Sequence, residues 1–293
     1  MISILIPTYT EEIGELVREL HSQAESLSTD FEILVYNDGC DKPCLQNEEV
    51  NALEKVTYRH FNENVGRGAI RDRLANDAKA DSLLFLDADV LPTQKDFLSK
   101  YISSLNENCD VICGGVAYKE DGVHDNERLR YVYGKEREAK SVKKREKEPH
   151  IIVTANIMIR KSCFFKVNLE LENLYGEDLI ISQNLKRMEY VVEHIENPVW
   201  HLGLEDSDQF IEKSKEAIEH MVRWEKEGKL DSNFTNLQRH YRRLKWALPI
   251  ISFFMKMAHS AIIKPNLTSK RPKSSLFNLS RLHYYYLEKK KHA

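Results

Sequence analysis

Three short polar segments, each directly after a run of apolar residues, are the parts of this 293-residue chain best placed to do chemistry. They are Pro7-Thr8-Tyr9, Asn37-Asp38-Gly39 and Asp87-Ala88-Asp89. Two aspartates at i and i+2 after a hydrophobic strand concentrate negative charge where the backbone leaves the sheet. Mg²⁺ and Mn²⁺ are typically bound by one or two such carboxylates together with substrate phosphates. The third segment therefore indicates a divalent-cation site, although an isolated Asp-x-Asp also fits a surface turn with a helix cap.

The elements that position these segments follow a βαβ pattern. Strands are predicted at Ile2–Pro7, Phe31–Asn37, Thr57–Phe61 and Ser82–Leu86, with helical spacing of apolar residues between them. In open α/β sheets ligands bind beyond the carboxyl ends of the strands, where the three polar segments lie. There is no Gly-rich dinucleotide fingerprint and no Walker loop, which argues against NAD or FAD enzymes and P-loop NTPases.

The pattern is less regular after a short strand at Val111–Cys113. The polar stretch Lys119–His150 includes the charge run Lys135–Glu148, and such a run predicts a solvated helix or a mobile loop. Apolar character resumes at Ile151–Ile159. A helix after Glu177-Asp178, a strand near Val191–Ile195 and a helix from about Asp206 to Glu227 complete the predicted domain.

Four segments in fixed order resemble the family 2 glycosyltransferases, which have the GT-A fold. They are Ile2–Tyr9, Glu32–Gly39, Asn64-Val65-Gly66 with Arg71 five residues after the glycine, and Ser82–Asp89. The resemblance covers about residues 1–205 and implies an α/β fold, with a mixed, mostly parallel central sheet flanked by helices. We expect a GT-A domain over 1–228, with a donor half at 1–113 and an acceptor half at 114–228, and a helical extension over 229–293.

The resemblance implies a nucleotide-sugar donor, with UDP favoured, held by residues of these motifs. Pro7, Thr8 and Tyr9 would flank the nucleobase, with Tyr9 stacking on it and Glu11 nearby. Asp38 would accept a hydrogen bond from the base, a role suited to the imide N–H of uracil, and Arg71 would lie near the base or the diphosphate. Asp87 would contact the ribose or metal-bound water, Ala88 would line the donor site, and Asp89 would bind Mn²⁺ or Mg²⁺ directly. Asn37, Thr10 and the step Ile70-Arg71-Asp72 depart from the family pattern.

The catalytic part of the resemblance lies in the second half of the chain. Tyr175-Gly176-Glu177-Asp178 resembles the Glu-Asp motif of the family, which makes Asp178 the base and Glu177 an acceptor contact. The alternative is an acidic first turn of a helix. His201 is the third candidate metal ligand beside Asp87 and Asp89, or else a core histidine. Asn156 is expected near the acceptor.

The implied activity is metal-dependent, inverting transfer of a hexosyl or N-acetylhexosaminyl group to a hydroxyl of a glycan or lipid-linked glycan. Such transfer needs a base for the acceptor hydroxyl and a Lewis acid for the leaving diphosphate. The rival interpretations are a catalytically silent sugar-nucleotide-binding protein and a haloacid-dehalogenase-type phosphatase. The phosphatase motif belongs near the start of a chain and has Thr or Val where Leu91 stands here.

The amino-acid composition excludes several classes of protein. Hydrophobic residues make up 42% and charged residues 30%, which excludes global disorder, collagen and coiled coil. Five cysteines without a matching metal-ligand pattern indicate free thiols of a reducing compartment rather than disulfides or a zinc site. Because Ile2–Ile6 already has the pattern of a strand, no signal peptide is expected, and no apolar run is long enough for a transmembrane helix.

Charge divides the chain into an acidic body and a basic tail. From Arg239 to Ala293 there are 13 Lys and Arg residues against one acid, whereas the first 238 residues carry 30 basic and 45 acidic side chains. We expect this tail to lie on an anionic membrane surface, peripheral at the inner face of the cytoplasmic membrane. Its predicted apolar stripe consists of Leu248, Ile251, Phe254, Met255, Ala258 and Ile262, with Trp246 and Tyr284-Tyr285-Tyr286 as anchors and Pro265 as its end. Packing on the body or a homodimer contact is the alternative, and nucleic acid is not an expected partner.

Overall fold

The computed structural model describes residues 1–42, 44–168 and 175–292. The chain forms two compact units. The first comprises the described residues of Met1–Tyr118, Glu138–Asn173 and Asn184–Gly203, and the second those of Lys119–Arg137, Leu174–Gln183 and Leu204–Ala293. The boundary expected at residue 228 therefore falls inside the second unit.

The first unit contains all of the strands in the described residues. They are β1 (Ile2–Thr8), β2 (Phe31–Asn37), β3 (Val56–His60), β4 (Ser82–Leu86), β5 (Val90–Pro92), β6 (Val111–Cys113), β7 (Val116–Ala117), β8 (Asn156–Arg160), β9 (Val192–His194) and β10 (Val199–His201). The helices of the chain are α1 (Gly14–Glu25), α2 (Arg67–Asp77), α3 (Phe97–Ser104), α4 (Arg128–Arg137), α5 (Val142–Arg145), α6 (Lys161–Val167), α7 (Asp178–Arg187), α8 (Ser207–Lys226), α9 (Asn236–Leu244), α10 (Leu248–Ala258), α11 (Lys264–Leu267) and α12 (Ser274–Lys291).

Seven of the strands form one sheet in the order β3-β2-β1-β4-β8-β6-β9. The pairs of β1 with β2 and β4, of β2 with β3, and of β6 with β9 are parallel, whereas β8 is antiparallel to both β4 and β6. Strands β1 and β2 are buried along nearly their whole length, as expected of central parallel strands covered by helices on both faces. The expected mixed, mostly parallel sheet is confirmed.

A second, three-stranded sheet has the order β5-β10-β7. Its register places His201 of β10 opposite Val90 of β5, and Val90 directly follows Asp89. The fold thereby brings a residue from late in the chain to the end of β4. This pairing is the structural reason that position 201 can belong to the same site as position 89.

Helix α1 shows how the sequence pattern sets the packing of the first unit. Its residues Leu16, Val17, Leu20 and Ala24 recur at helical spacing, and all four are buried. The apolar run Ile151–Ile159 forms a strand only from Asn156 onward. The residues before it lie outside the strand and include a turn at Thr154 and Ala155, with Ile152 and Ala155 buried.

The second unit is helical and includes part of the charged stretch Lys119–His150. Helix α4 lies in this stretch and buries Leu129 completely. The charge run Lys135–Glu148 contains the end of α4 and the short helix α5 and is mostly exposed, as expected of a solvated helical segment. The core cluster of this unit joins α4, α8 and the C-terminal helices; it consists of Leu129, Phe210, Met255, Ile263, Leu267 and Phe277. The helix predicted from about Asp206 to Glu227 is confirmed as α8, and Asp206 caps it by accepting a hydrogen bond from the Gln209 N–H at 2.9 Å.

The C-terminal residues differ from the expected membrane stripe in which side chains are buried. Leu248 and Met255 lie in the interior of the second unit, and Tyr285 is buried with its hydroxyl donating to Glu225. The prediction that Leu248, Met255 and Tyr285 face a membrane was therefore wrong. Met255 packs in one core cluster with Phe210 and Phe277. The helix also does not end at Pro265: α11 includes this residue in its first turn, where a missing N–H is tolerated.

No single helix in the described part of the chain is long and apolar enough to cross a membrane. Only Asn236–Leu244 and Leu248–Leu267 taken together satisfy those criteria, and they are bent by 109° relative to each other.

Candidate functional site

The loop after β1 is shaped by the carboxylate of Glu11. One oxygen of this carboxylate accepts hydrogen bonds from the N–H groups of Tyr9 at 2.9 Å and Thr10 at 3.0 Å, and from the Thr8 hydroxyl at 3.3 Å. Thr8 is buried, Pro7 is half-buried and the Tyr9 ring is exposed. Glu11 therefore acts on the backbone of the loop, and this arrangement leaves the aromatic face of Tyr9 open to stack on a planar ligand.

Asn37, at the end of β2, fastens three loops together. Its amide donates to the Tyr9 carbonyl at 2.6 Å, and its oxygen accepts from the Cys40 N–H at 3.0 Å and lies 3.1 Å from Nδ1 of His60. The amide of Asn37 both donates and accepts here, whereas a carboxylate at this position would lack the donor. The sequence alone shows that Asn37 departs from the family pattern, but it does not show these hydrogen bonds.

Asp38 holds the loop that precedes α2. Its backbone N–H donates to the Thr8 carbonyl at 2.9 Å, and its two carboxylate oxygens accept from the N–H groups of Val65 at 2.9 Å and Gly66 at 2.7 Å. Each oxygen keeps a second lone pair. Asp38 is thus a rigid, nearly buried acceptor at the ends of β1 and β2, and its expected contact with a base stays a prediction.

Asp87 is oriented by Arg71. The guanidinium Nη2 of Arg71, on α2, donates to Asp87 Oδ1 at 2.7 Å, and the arginine side chain is almost fully buried. Removing one partner of a buried ion pair strongly destabilises the folded protein, because the other charge stays buried without compensation. Arg71 therefore positions Asp87 directly, a role that the sequence expectation of a base or diphosphate contact did not include. Ala88, the residue between the two aspartates, is buried.

Asp89 and His201 lie side by side. The Nε2 atom of His201 is 3.7 Å from Oδ2 of Asp89. Burial raises the pKa of Asp89, nearby His201 opposes that shift, and the carboxylates of Asp87 and Glu11 add to it. The end of β4 therefore concentrates negative charge in a partly desolvated place, which a bound cation would offset.

Two residues that the sequence did not single out shape this pair. The Tyr118 ring stacks on the His201 ring, with centroids 5.5 Å apart and 22° between the planes, and its hydroxyl donates to Glu138. A Cβ atom placed on Gly203 would lie 2.9 Å from both Cβ and Cγ of Asp89 and closer still to Oδ2. Gly203 could have been expected near this pair because it lies two residues after His201 in the sequence. Nothing in the sequence indicates that Tyr118 contacts His201.

The donor set fits a divalent cation that shares its coordination with a diphosphate. The described residues contain no group of three or more His, Cys, Asp or Glu side chains arranged to hold a metal ion by themselves. Asp89 and His201 offer one carboxylate and one imidazole, and Mn²⁺ or Mg²⁺ commonly completes such a set with substrate phosphates. The buried Nδ1 of His201 has no hydrogen-bond partner among the described residues, so stacking on Tyr118 is what orients the ring.

Asn156 belongs to the interior of the sheet and not, as expected, to an acceptor surface. It is 1% exposed. Its oxygen accepts from the Tyr101 hydroxyl at 2.7 Å, and its amide donates to the carbonyls of Gly115 at 2.8 Å and Asn197 at 2.9 Å. All of its side-chain hydrogen bonds are internal, which leaves no group for an acceptor.

Glu177 and Asp178 lie in the second unit, at the start of α7. Gly176 precedes them with a φ of +94°, a left-handed conformation that favours glycine. The Glu177 carbonyl accepts from the N–H groups of Ile180 at 2.8 Å and Ile181 at 3.1 Å. Glu177 is buried and Asp178 is half-buried in the first turn of the helix. The alternative stated from the sequence, an acidic first turn of a helix, is present in α7. The roles of Asp178 as base and of Glu177 as acceptor contact stay predictions.

Comparison with known proteins gives a consistent family. The family model described as glycosyl transferase family 2 matches residues 3–165. The glycosyltransferase AglD of Haloferax volcanii is 30% identical over 137 residues, which is 45% of this chain and 22% of AglD. A glycosyltransferase of Methanocaldococcus jannaschii is 23% identical over 190 residues, 63% of this chain and 62% of that protein. The chain thus spans less than two thirds of the length of these relatives.

Solved structures give the fold. The mannosyltransferase PcManGT of Pyrobaculum calidifontis, in complex with GDP-Man and Mn²⁺, matches 98% of this chain and 86% of its own at a TM-score of 0.62 and 14% identity. S. aureus TarS 1-349, in complex with UDP-GlcNAc, matches 99% of this chain and 91% of its own at a TM-score of 0.52 and 16% identity. With the family model covering more than half of its length and the aspartates of the Asp-x-Asp segment at the end of a central strand, this chain belongs to glycosyl transferase family 2 and has the GT-A fold.

Proposed function

We propose that this chain transfers a hexose or N-acetylhexosamine from a nucleotide diphosphate, with UDP favoured, to a hydroxyl of a glycan or lipid-linked glycan. The observation that carries the proposal is the pairing of Asp89 with His201 at the end of β4, beside an Asp87 held by Arg71. Such a site suits the diphosphate of a sugar donor better than it suits a neutral ligand, because the bound cation brings positive charge to it.

The cation in this proposal is Mn²⁺ or Mg²⁺. Asp89 and His201 would hold it, with Asp87 on the ribose or on metal-bound water. When bound, the cation supplies Lewis-acid stabilisation of the leaving diphosphate. The residues of the chain provide the orientation: Arg71 fixes Asp87, and Tyr118 fixes the plane of His201.

The nucleobase would lie between the loops after β1 and β2. Tyr9 is exposed for stacking, and Asp38 is held rigidly enough to accept a hydrogen bond from the imide N–H of uracil. A guanine also offers N–H donors to a carboxylate. For that reason GDP-sugars are the first competitors to include in a donor panel.

The acceptor hydroxyl would be activated by Asp178, with Glu177 supporting the acceptor. Inverting transfer passes through an oxocarbenium-like state, and a positioned carboxylate that takes the proton contributes about 10²–10⁴-fold in rate. A lipid-linked acceptor would place the reaction at the inner face of the cytoplasmic membrane, which forms part of the same proposal.

A donor panel tests the nucleotide and the activity together. UDP-, GDP- and other sugar nucleotides are incubated with the full chain and Mn²⁺ or Mg²⁺, and hydrolysis of the donor is measured. We expect one UDP-sugar to be hydrolysed in a metal-dependent way. Thermal stabilisation by a donor without any turnover, under all conditions, would instead indicate the silent binding protein.

The assignment of the base is tested by Asp178→Asn. An amide cannot take the proton of the acceptor, so we expect kcat to fall by about 10²–10⁴-fold with little change in donor affinity. Asp208→Asn, in the first turn of α8, is the matched control and should retain normal turnover. Near-normal kcat in Asp178→Asn would move the base elsewhere.

A further inference from the structure

Helices α10 and α11, joined by a wider π-helical turn at His259–Ile263, carry apolar side chains on two opposite faces. The inner face contributes Met255, Ile263 and Leu267 to the core of the second unit, with Ile251 and Ala258 packed against that core. This face is fully accounted for by packing inside the unit. The other face is not.

The outer face consists of large apolar side chains that are each 61–80% exposed: Trp246, Ile250, Phe253, Phe254, Met257 and Ile262. Ile250, Phe253, Phe254 and Met257 recur at i, i+3, i+4 and i+7, which places them on one side of α10, and Trp246 lies in the turn that precedes this helix. Elsewhere in the described residues, only Leu45 among the large apolar side chains is as exposed. A soluble protein seldom leaves so dense a group of aromatic and aliphatic side chains in water without a partner.

Exposed cations lie close to the outer face in the sequence. Arg242 and Arg243 lie in the last turn of α9, Lys245 directly follows it, and Lys256 lies on α10. None of the four forms an ion pair with another described residue. By contrast, Lys264 pairs with Asp208 at 3.5 Å and Lys270 with Asp125 at 2.6 Å, so those two are neutralised within the second unit. The sequence has no Asp or Glu between Ser232 and Leu287 to balance the others.

We infer that the outer face and these four cations dock on an anionic lipid bilayer, with α10 lying in the plane of the interface. Aromatic and aliphatic side chains at a helix surface bordered by Lys and Arg are what an interfacial helix requires. Each such cation near an anionic leaflet strengthens binding about fivefold. The same charges argue against a second copy of this chain as the occupant, because two outer faces would bring eight cations together without an acid.

This inference differs from the sequence expectation in its residues, and it does not depend on the donor site. The apolar stripe expected from the sequence mixed the two faces: Met255 and Leu248 are buried, whereas Phe254 and Ile262 are exposed. Membrane docking therefore rests on side chains that folding leaves in water. Lipid binding is measured without any nucleotide, so its failure would leave the proposed glycosyl transfer unaffected and would remove only the membrane location from that proposal.

The test is co-sedimentation of the full chain with vesicles of phosphatidylcholine alone or with 30% phosphatidylglycerol. Wild-type chain should bind the anionic vesicles and be released by high salt. Phe253→Ser/Phe254→Ser should weaken this binding at least tenfold, and Arg243→Gln/Lys256→Gln should do so to a similar extent. The matched controls, Leu45→Ser and Lys143→Gln/Lys144→Gln, remove equally exposed groups elsewhere and should bind like wild type. Circular dichroism melting checks that each variant is folded.

A second readout places the helix in the lipid. Trp246 is one of three tryptophans, and brominated lipids should quench part of the wild-type fluorescence that Trp246→Phe no longer shows. Absence of binding at low salt, or equal binding by wild type and Phe253→Ser/Phe254→Ser, would overturn the inference. Concentration-dependent dimerisation that Phe253→Ser/Phe254→Ser abolishes, without vesicle binding, would assign the outer face to a second copy instead.

Discussion

At the scale of single residues, several polar side chains at the ends of β1 and β2 bind the protein's own backbone. Glu11 accepts from the N–H groups of Tyr9 and Thr10, and Asp38 accepts from those of the loop before α2. Charge-assisted hydrogen bonds of this kind are stronger than neutral ones. They hold the loops in place before a ligand arrives, which reduces the ordering cost of binding.

Gly203 is the residue whose substitution should disturb the site most selectively. In Gly203→Ala the new methyl group overlaps the Asp89 side chain, so the carboxylate must turn away from His201. We expect metal-dependent affinity for the donor nucleotide to fall at least tenfold, with a stability loss of about 1–3 kcal/mol from overpacking. Isothermal titration with UDP and Mn²⁺ measures the affinity, and Leu202→Ala, at the exposed neighbouring position, is the control. Wild-type affinity in Gly203→Ala would show that Asp89 does not need its present orientation.

At the scale of elements, strand β8 connects the two parts of the central sheet, β3-β2-β1-β4 and β6-β9. It runs antiparallel between β4 and β6, and Asn156 at its start links Tyr101 to the segments around Gly115 and Asn197. The element that the sequence associated with the acceptor thus has a structural task. The side-chain oxygen and nitrogen of Asn156 both have buried partners, and hydrogen bonds of this kind help to specify a unique packing.

The role of Asn156 is measurable. Asn156→Ala removes three buried side-chain hydrogen bonds, while the Tyr101 hydroxyl keeps the backbone carbonyl of residue 156 and the Gly115 carbonyl keeps the Val199 N–H. We expect the free energy of unfolding to fall by about 2–4 kcal/mol. Urea unfolding measures this, with exposed Asn108→Ala as a control that should stay within about 0.5 kcal/mol of wild type. A raised acceptor KM in a variant of unchanged stability would restore the acceptor role.

A second element-scale prediction concerns the segment after α5. His194 on β9 is buried, with Nδ1 3.0 Å from the Arg145 guanidinium and Nε2 2.9 Å from the Pro149 carbonyl. Burial lowers the pKa of His194, the Pro149 hydrogen bond and Glu146 oppose that shift, and Arg145 and His150 add to it. The folded state therefore resists a proton that the unfolded state takes up near the ordinary histidine pKa of about 6.5.

The sign of the effect follows from linkage. The contribution of His194 is fully present above about pH 6.5 and is lost as pH falls below it toward the depressed folded-state pKa. We expect His194→Gln to show a smaller stability loss than wild type between pH 7.5 and pH 5.5, measured as the urea midpoint. His292→Gln, at an exposed histidine, is the comparison and should follow wild type. An unchanged pH dependence in His194→Gln would mean that this histidine does not titrate differently on folding.

The elements also show how far the sequence could predict the fold. Strands β1, β2 and β4 were predictable because each is a continuous apolar run buried on both faces. Strand β8 was shorter than its apolar run because the residues before Asn156 leave the sheet while staying partly buried. The proximity of His201 to Asp89 depends on the pairing of β10 with β5, which no local pattern encodes.

At the scale of the whole molecule, the chain consists of two compact units, and the residues of the proposed site are found in both. Asp87, Asp89 and His201 lie in the first, whereas Glu177 and Asp178 lie in the second together with the basic C-terminal helices. Composition predicted the basic tail, but not which of its apolar residues fold inward. That choice depends on the position of Phe210 and Phe277, which local helical spacing does not reveal.

In the proposed function, Asp89 and a divalent cation would hold the diphosphate as one unit. The measurement that tests it most directly is isothermal titration of UDP into wild-type chain and Asp89→Ala, with and without Mn²⁺. Exposed Asp121→Ala is the matched control. We predict Mn²⁺-dependent binding in wild type and Asp121→Ala and its loss in Asp89→Ala, while the thermal midpoint without ligand shows that the variant is folded. If Asp89→Ala binds UDP as tightly as wild type does in the presence of Mn²⁺, Asp89 does not hold the cation that binds the diphosphate.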